Sequence, residues 1–368
     1  MRGIAGHLER SWSGEPGLVA WTKALLPLAA GYAVVAGFAR RRSAAGRRAL
    51  EGTHVIAVGN LTVGGAGKSS LARWLALQAV TARVRAAVLL RGYGSDASAR
   101  GTRVVPDFSD YPLLARVGRY GDEAIAHRLA LPRDVSVAVD ADRLRAARAL
   151  STGYASRVLI LDDGWEQGSL LWDELWVAVD PRHPAGNGSL LPAGPLRRPV
   201  ATLREGTRIV FLLEEPGETV PERTLAWLER WAPGTKCLRF QRMLEGASPV
   251  GARGTPAPLA RGSRVALLSG VGAPQRLERF LRGAGVDVRL HVAYPDHARW
   301  RAASLTASAA RARAAGADEI LITAKDEPRW PAGVRGALPV RVIRSGIRPL
   351  DPVDQALAPM RAAAEGGG

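Results

Sequence analysis

The pattern of apolar and polar positions divides the chain into three stretches. After a charged start that includes Arg2, Glu9, Arg10 and Glu15, the residues from Ala24 to Ala39 carry no charge, and Arg40-Arg41-Arg42 and Arg47-Arg48 follow directly. Those sixteen residues, as a helix, cover roughly 24 Å, less than the ~30 Å hydrocarbon core of a bilayer. An apolar helix ending in arginines suits docking on an anionic membrane surface better than spanning it. The charges before it do not fit an ordinary secretory signal. From Thr53 short β-rich runs alternate with stretches of helical period. The strands expected are Val55–Val58, Val84–Leu90, Val135–Val139, Val158–Leu161, Trp176–Val179 and Ile209–Leu213; the helices include Ser69–Val80, Asp122–Leu131 and Asp142–Leu150. Such alternation predicts a parallel sheet wrapped by helices. Gly246–Gly262, rich in Gly, Pro and Ala, reads as a linker. The alternation then resumes with Val265–Leu268, Gln275–Arg282, Val286–Val292, Ala303–Ala315, Glu319–Ile322, Val340–Ile343 and a last helix, a second and smaller α/β unit.

Composition narrows this picture. A chain of 368 residues with 47% hydrophobic content can fill two cores. The single cysteine, Cys237, excludes an internal disulfide framework and a multi-cysteine metal site, and fits a reducing compartment. A net charge of +17 invites a nucleic-acid reading. The distribution argues against it: the basic residues are spread along the chain, all are arginine except Lys23, Lys68, Lys236 and Lys325, and no stretch interleaves them with stacking aromatics. An anionic partner of another kind, whether membrane, phospholipid or phosphorylated substrate, stays open.

The sharpest chemical signal follows the first strand. His54-Val-Ile-Ala-Val58 runs into Gly59-Asn60 and then Thr62-Val63-Gly64-Gly65-Ala66-Gly67-Lys68-Ser69, which opens an apolar-periodic helix. The glycines let backbone N–H groups turn inward around phosphate oxygens, and Lys68 supplies a charge to the β- and γ-phosphates. The Ser69 hydroxyl is placed for Mg²⁺, and the helix N-terminus adds its dipole. The strict pattern has Gly where Thr62 stands. A second element fits the first: the apolar strand Val158–Leu161 ends in Asp162-Asp163-Gly164, and a carboxylate at a buried strand tip beside such a loop holds Mg²⁺ or its water shell. The expected cofactors are therefore ATP and Mg²⁺, with residues 62–69 on the nucleotide and Ser69, Asp162 and Asp163 at the metal.

Other segments are less specific. Asp122-Glu123, after Gly121, reads as the acidic first turn of a helix, complementing its dipole. Asp296-His297 reads as an ordinary loop pair. The stretch from Asp180 to Arg198, with Gly186-Asn187-Gly188 and Leu191-Pro-Ala-Gly-Pro-Leu-Arg197, is an irregular loop at a strand end, where ligands are commonly held. The domain organisation expected is a membrane-associated helix and basic cluster over 1–48, a P-loop nucleotide-binding domain over 49–240, a linker over 241–263 and a smaller α/β domain over 264–368.

Taken in order, these segments resemble the lipid A 4′-kinase (tetraacyldisaccharide 4′-kinase) family over nearly the whole chain. The resemblance rests on the apolar helix with its arginines, Gly59-Asn-Leu-Thr-Val-Gly-Gly65 with Gly67-Lys68, Arg91-Gly-Tyr-Gly94, Gly121-Asp-Glu123, Asp162-Asp-Gly164 and Gly186-Asn-Gly188 with Leu191–Arg197. It continues through Ser269-Gly-Val-Gly-Ala-Pro274, Pro295-Asp-His297 and Thr323-Ala-Lys-Asp326. It implies ATP-dependent phosphorylation of the 4′-hydroxyl of a tetraacylated glucosamine disaccharide at the cytoplasmic face of the bacterial inner membrane. In that reading Asp122 accepts the hydroxyl proton with help from His297, Lys68 acts at the phosphates, and Glu123 joins the metal site. The chain departs from the family pattern with Trp165-Glu166-Gln167 for Phe-Gln-His, Arg197-Arg198 for Arg-Glu, Ala124 for Pro and Ser69 for Thr; the changes at 166 and 198 are of opposite charge. Two other readings are weighed. A P-loop GTPase of the metal-insertion or cofactor-maturation type needs an Asn-Lys-x-Asp segment, which Thr323-Ala-Lys-Asp326 faintly approaches, and a metal-handling Cys or His cluster, which is not found. A non-catalytic membrane-bound protein would not need Lys68, Asp122, Asp162 and His297 together.

Overall fold

The computed structural model describes residue 12 and residues 19–64, 67–93, 95–96, 101–107, 114–272, 274–295, 300–331 and 338–365. Among these, twelve strands form one sheet in the order β10-β9-β11-β12-β8-β7-β6-β1-β5-β2-β4-β3. The first half contains β1 (His54–Asn60), β2 (Ala86–Leu90), β3 (Arg103–Val104), β4 (Ser136–Val139), β5 (Val158–Asp162), β6 (Glu174–Val179) and β7 (Arg208–Leu213). These are parallel except for β3 at the edge. Burial explains their composition: β2, β5 and β6 are buried at every position, so both faces must be apolar and the runs read as continuous rather than alternating. Helices α3 (Lys68–Thr81) and α5 (Asp122–Ala130) pack on one face of this half, and α6 (Arg143–Gly153) and α7 (Glu222–Trp231) on the other. A short helix α4 (Leu114–Tyr120) precedes α5.

The expected linker over 241–263 is, through Pro249, a strand. β8 (Lys236–Pro249) runs parallel to β7 over Lys236–Gln241 and antiparallel to β12 (Val340–Pro349) from Phe240 to Pro249. Its first part alternates, with Leu238 and Phe240 buried and Arg239 exposed between them, which is a strand pattern of period two. Gly246 marks a bulge: its φ is +133°, the register shifts opposite it, and a Cβ there would collide with the carbonyl of Ala257. β12, β11 (Glu319–Thr323), β9 (Arg264–Ser269) and β10 (Asp287–Ala293) are parallel to one another, flanked by α8 (Pro274–Gly283) and α9 (Ala302–Ala314). The last helix, α10 (Asp354–Glu365), returns to the first half, where Ala356, Leu357 and Met360 join the core beside Trp74 and Leu75.

Because β12 runs against β8, the strands of the second half point back toward the first. Thr323, the end of β11, is level with Ile343 and, across the ribbon, with Ala247; Leu213, the end of β7, is level with Gln241. The carboxyl edges of the two halves thus face each other, and carboxyl edges are where open α/β sheets bind ligands.

At the amino end, α1 (Val19–Ala24) is followed by α2 (Leu26–Ala45). Among the described residues no helix is long and apolar enough to cross a membrane. One side of α2 rests on the protein: Ala29 is buried, Ser43 lies against Gly168, and Tyr32 donates from its hydroxyl to the carbonyl of Arg197 (3.0 Å). The other side leaves Leu26, Leu28, Val34, Val35 and Phe38 exposed, the last three by 68–73%.

Candidate active site

The phosphate loop leaves β1 and enters α3 through Gly67. This residue has φ +88°, a conformation that favours glycine, and a Cβ on it would push aside a methyl of Leu212. Asn60 donates to the carbonyl of Thr62, and Gly64 also has positive φ, +111°. The loop is braced from outside. Thr62 bridges to Leu196, Val63 N–H donates to the Pro195 carbonyl (2.8 Å), and Arg197 N–H donates to Leu61 (2.9 Å). The long loop at 186–198 is therefore a wall of the phosphate site, held in shape by Asn187, which donates to Ala193 and accepts from Ser189. Gly65 and Ala66 lie outside the described residues.

Lys68 and Ser69 open α3 beside the end of β5. The two adjacent carboxylates there have separate surroundings. Asp163, in a left-handed turn (φ 56°), is saturated: Lys68 Nζ lies 2.8 Å from Oδ1, and Arg197 forks onto both oxygens at 2.9 and 3.1 Å. Burial alone would raise its pKa, yet the two cations hold it below the usual carboxylate range. Asp162 is fully buried. Its Oδ2 accepts from His127 Nε2 (2.8 Å), while Oδ1 makes no hydrogen bond of ordinary length among the described residues, the Ser69 hydroxyl being a nearby polar neighbour of the carboxylate. Burial opposes its charge, but the His127 hydrogen bond and charge, then Lys68 and Ser69, bring its pKa down to about 2. An ionised, buried oxygen that makes no hydrogen bond of ordinary length among the described residues fits a bound cation, so Ser69 and Asp162 together suit Mg²⁺. Among the described residues no three His, Cys, Asp or Glu side chains lie close enough to hold a metal by themselves.

Asp122 and Glu123 begin α5, as the sequence places them. Asp122 Oδ1 accepts from the Glu123 amide (2.9 Å). Burial, and then the nearby Asp162, raise the pKa of Glu123, partly offset by Lys325. So Glu123 and Asp162 do converge with Lys68 and Ser69 on one edge. Asp296 and His297 lie outside the described residues. Sequence reasoning missed His127, although it stands four residues after Glu123 and hence on the same helical face. It also missed Arg143, buried near Asp163 and pulled down to about 10 by burial and by Arg91. The second half adds Lys325, 3.8 Å from Glu123, and Arg329, 3.4 Å from Asp122. Glu166 and Arg198, the opposite-charge departures, do face each other at 3.6 Å, with Arg198 stacked over Trp165.

Two rival chemistries lose ground on geometry. Both oxygens of Asp326 are taken, by Thr323, Gly270 and Arg329, and the residue has no exposed surface, so it has no capacity to read a guanine base. A Ser269–His291–Glu278 chain (2.9 and 2.8 Å) has the connectivity of a hydrolytic triad. Ser269 is wholly buried, however, and the chain ties α8 to the strand pair β9–β10.

A phosphate loop facing an acidic strand end, with a carboxylate-bearing helix beside both, defines a P-loop phosphotransferase. Comparison with known proteins narrows the class. The model of the tetraacyldisaccharide-1-P 4′-kinase family matches residues 21–351, and the chain belongs to that family. It is 36% identical over 298 residues to the tetraacyldisaccharide 4′-kinase of Syntrophobacter fumaroxidans, covering 80% of this chain and 76% of that protein. To that of Phenylobacterium zucineum it is 35% identical over 344 residues, covering 90% and 93%. The crystal structure of LpxK from Aquifex aeolicus in complex with ATP shares the fold, with TM-score 0.69 and 22% identity over 94% of this chain and 98% of that one.

Proposed function

We infer that the protein is an ATP-dependent kinase that phosphorylates the 4′-hydroxyl of a tetraacylated glucosamine disaccharide 1-phosphate. The observation that carries this reading is the convergence of Lys68, Ser69, Asp162, Glu123 and Asp122 at one carboxyl edge in a chain of this family. The loop from Thr62 to Ser69 receives the nucleotide phosphates. Lys68 exchanges its partner Asp163 for phosphate oxygens, and Arg197 stays behind to hold Asp163. Ser69, Glu123 and Asp162 would hold Mg²⁺, which would supply charge neutralisation at the phosphates. Asp122 takes the proton of the acceptor hydroxyl as that oxygen bonds to the γ-phosphorus. The bond from phosphorus to the β,γ-bridging oxygen breaks, and ADP leaves. His297 supports Asp122 in this scheme, on the strength of the family resemblance. The nucleotide loop belongs to the first half of the sheet and His297 to the second, and β8 joins the two.

The same reading places the protein on the cytoplasmic face of the inner membrane, docked through α2. An apolar face of Leu26, Leu28, Val34, Val35 and Phe38, followed by Arg40-Arg41-Arg42, supports it: the acyl chains of such a substrate leave a bilayer only at a cost of ~0.8 kcal/mol per CH₂. Acceptor-dependent ADP release tests the function. Turnover with ATP should require the lipid disaccharide and fall at least about tenfold with GTP, since both oxygens of Asp326 are already taken by Thr323, Gly270 and Arg329. Equal turnover with both nucleotides, or no dependence on the acceptor, contradicts the reading.

A further inference from the structure

The turn that follows β11 is held more firmly than its length requires. It contains two carboxylates, Asp326 and Glu327, with no exposed surface. Asp326 accepts from the Thr323 hydroxyl (2.7 Å), the Gly270 amide (3.2 Å) and Arg329 Nη2 (3.1 Å). Glu327 accepts both arms of Arg344 (2.7 and 2.9 Å) and the Gly251 amide (2.9 Å). A buried carboxylate is tolerated only when its bonds are made, and breaking one side of such a pair is strongly destabilising. The turn is thereby fixed to the end of β9, to β12 and to the segment after β8. This rigid turn presents two cations to the first half: the half-exposed Lys325, 3.8 Å from Glu123, and Arg329, itself 5% exposed. One arm of its guanidinium rests on Asp326, and its Nε lies 3.4 Å from Asp122 Oδ2. Asp122 begins α5, so its backbone belongs to the first half while its carboxylate meets a cation from the second.

We propose that Arg329 is a positioning residue for Asp122: anchored on buried Asp326, it orients the Asp122 carboxylate toward the acceptor hydroxyl from across the facing edges of the sheet. The alternative role for so buried an arginine is a simple strut between the halves, and the two differ in what they do to chemistry as opposed to binding. The proposal rests on Asp122 being the base.

Full-length Arg329→Met and Arg329→Lys are compared with the wild type using ATP and the disaccharide acceptor. The Met variant should lose about 100-fold in kcat, as expected for a misdirected catalytic group, with its Kd for ATP within about twofold of wild type. Lys keeps the charge without the planar fork and should recover part of that loss. In an Asp122→Asn background, Arg329→Met should lower the residual rate no further, since the two act as a unit. Wild-type kcat in the Met variant, a loss that persists in full in the Asp122→Asn background, or a parallel fall in ATP affinity would overturn the proposal in favour of a strut. Arg329→Gln, with the same outcomes, serves if the Met variant does not fold. A near-wild-type rate for Asp122→Asn alone removes the base reading first, which separates the two failures.

Discussion

Asp162 and Asp163 are neighbours in sequence but face opposite demands. Asp163 is neutralised by Lys68 and Arg197, whereas Asp162 is buried against His127 with one oxygen that makes no hydrogen bond of ordinary length among the described residues. The sign of the pH effect follows. Asp162 titrates at about 2 in the folded chain and at ~3.9 when unfolded, so its contribution to stability is complete above pH ~4 and is lost as pH falls toward 2. Between those limits the unfolding free energy of the wild type should fall more steeply than that of Asp162→Asn, by on the order of 2 kcal/mol in total. Parallel denaturation curves across that window would contradict the assignment. At this scale the sequence was readable where a motif is local: Lys68, Ser69 and the Asp162-Asp163 tip follow from a strand, a turn and a helix in succession. His127 and Arg329 were not readable. Their meaning depends on which carboxylate lies opposite, and that is decided by the topology of the sheet.

β1, β2 and β4 to β7 were legible because burial makes them continuous apolar runs, and β9 and β11 for the same reason; β10 and β12 are partly exposed and were legible from their β-rich composition, while the two-residue edge strand β3 was not legible. Nor was β8. Its polar residues and the glycine at 246 read as linker chemistry, although the alternation around Leu238 and Phe240 is the signature of a strand exposed on one side. The basic helix α2 is apolar on both sides for two reasons: one rests on the loop that braces Asp163, through Tyr32 and Arg197, and the other faces outward. Replacing Val35 and Phe38 together by Glu should abolish co-sedimentation with anionic phospholipid vesicles while leaving the thermal midpoint nearly unchanged, because both side chains are largely exposed. Undiminished vesicle binding by that variant would contradict membrane docking through this face.

Across the whole molecule, one sheet joins two halves whose carboxyl edges oppose each other. β8 belongs to both, and α10 ends the chain on the first half instead of the second. The ion pairs Lys325–Glu123, Arg329–Asp122 and Arg276–Asp180 (2.6 Å) bridge that arrangement at its edges. In the proposed reaction an acceptor hydroxyl has to reach both the phosphate loop and Asp122, and the reversed strand direction of the shared sheet sets both at facing edges. The central claim, phosphoryl transfer to a 4′-hydroxyl, has a direct test. The purified full-length protein is incubated with ATP, Mg²⁺ and the tetraacylated disaccharide 1-phosphate in detergent, and the product is examined by mass and by phosphorus–proton correlation NMR. The account predicts the gain of one phosphate, coupled to the proton at the 4′ carbon, with one ADP released per product. A folded, ATP-binding protein that yields no product, or one phosphorylated at another position, would contradict it.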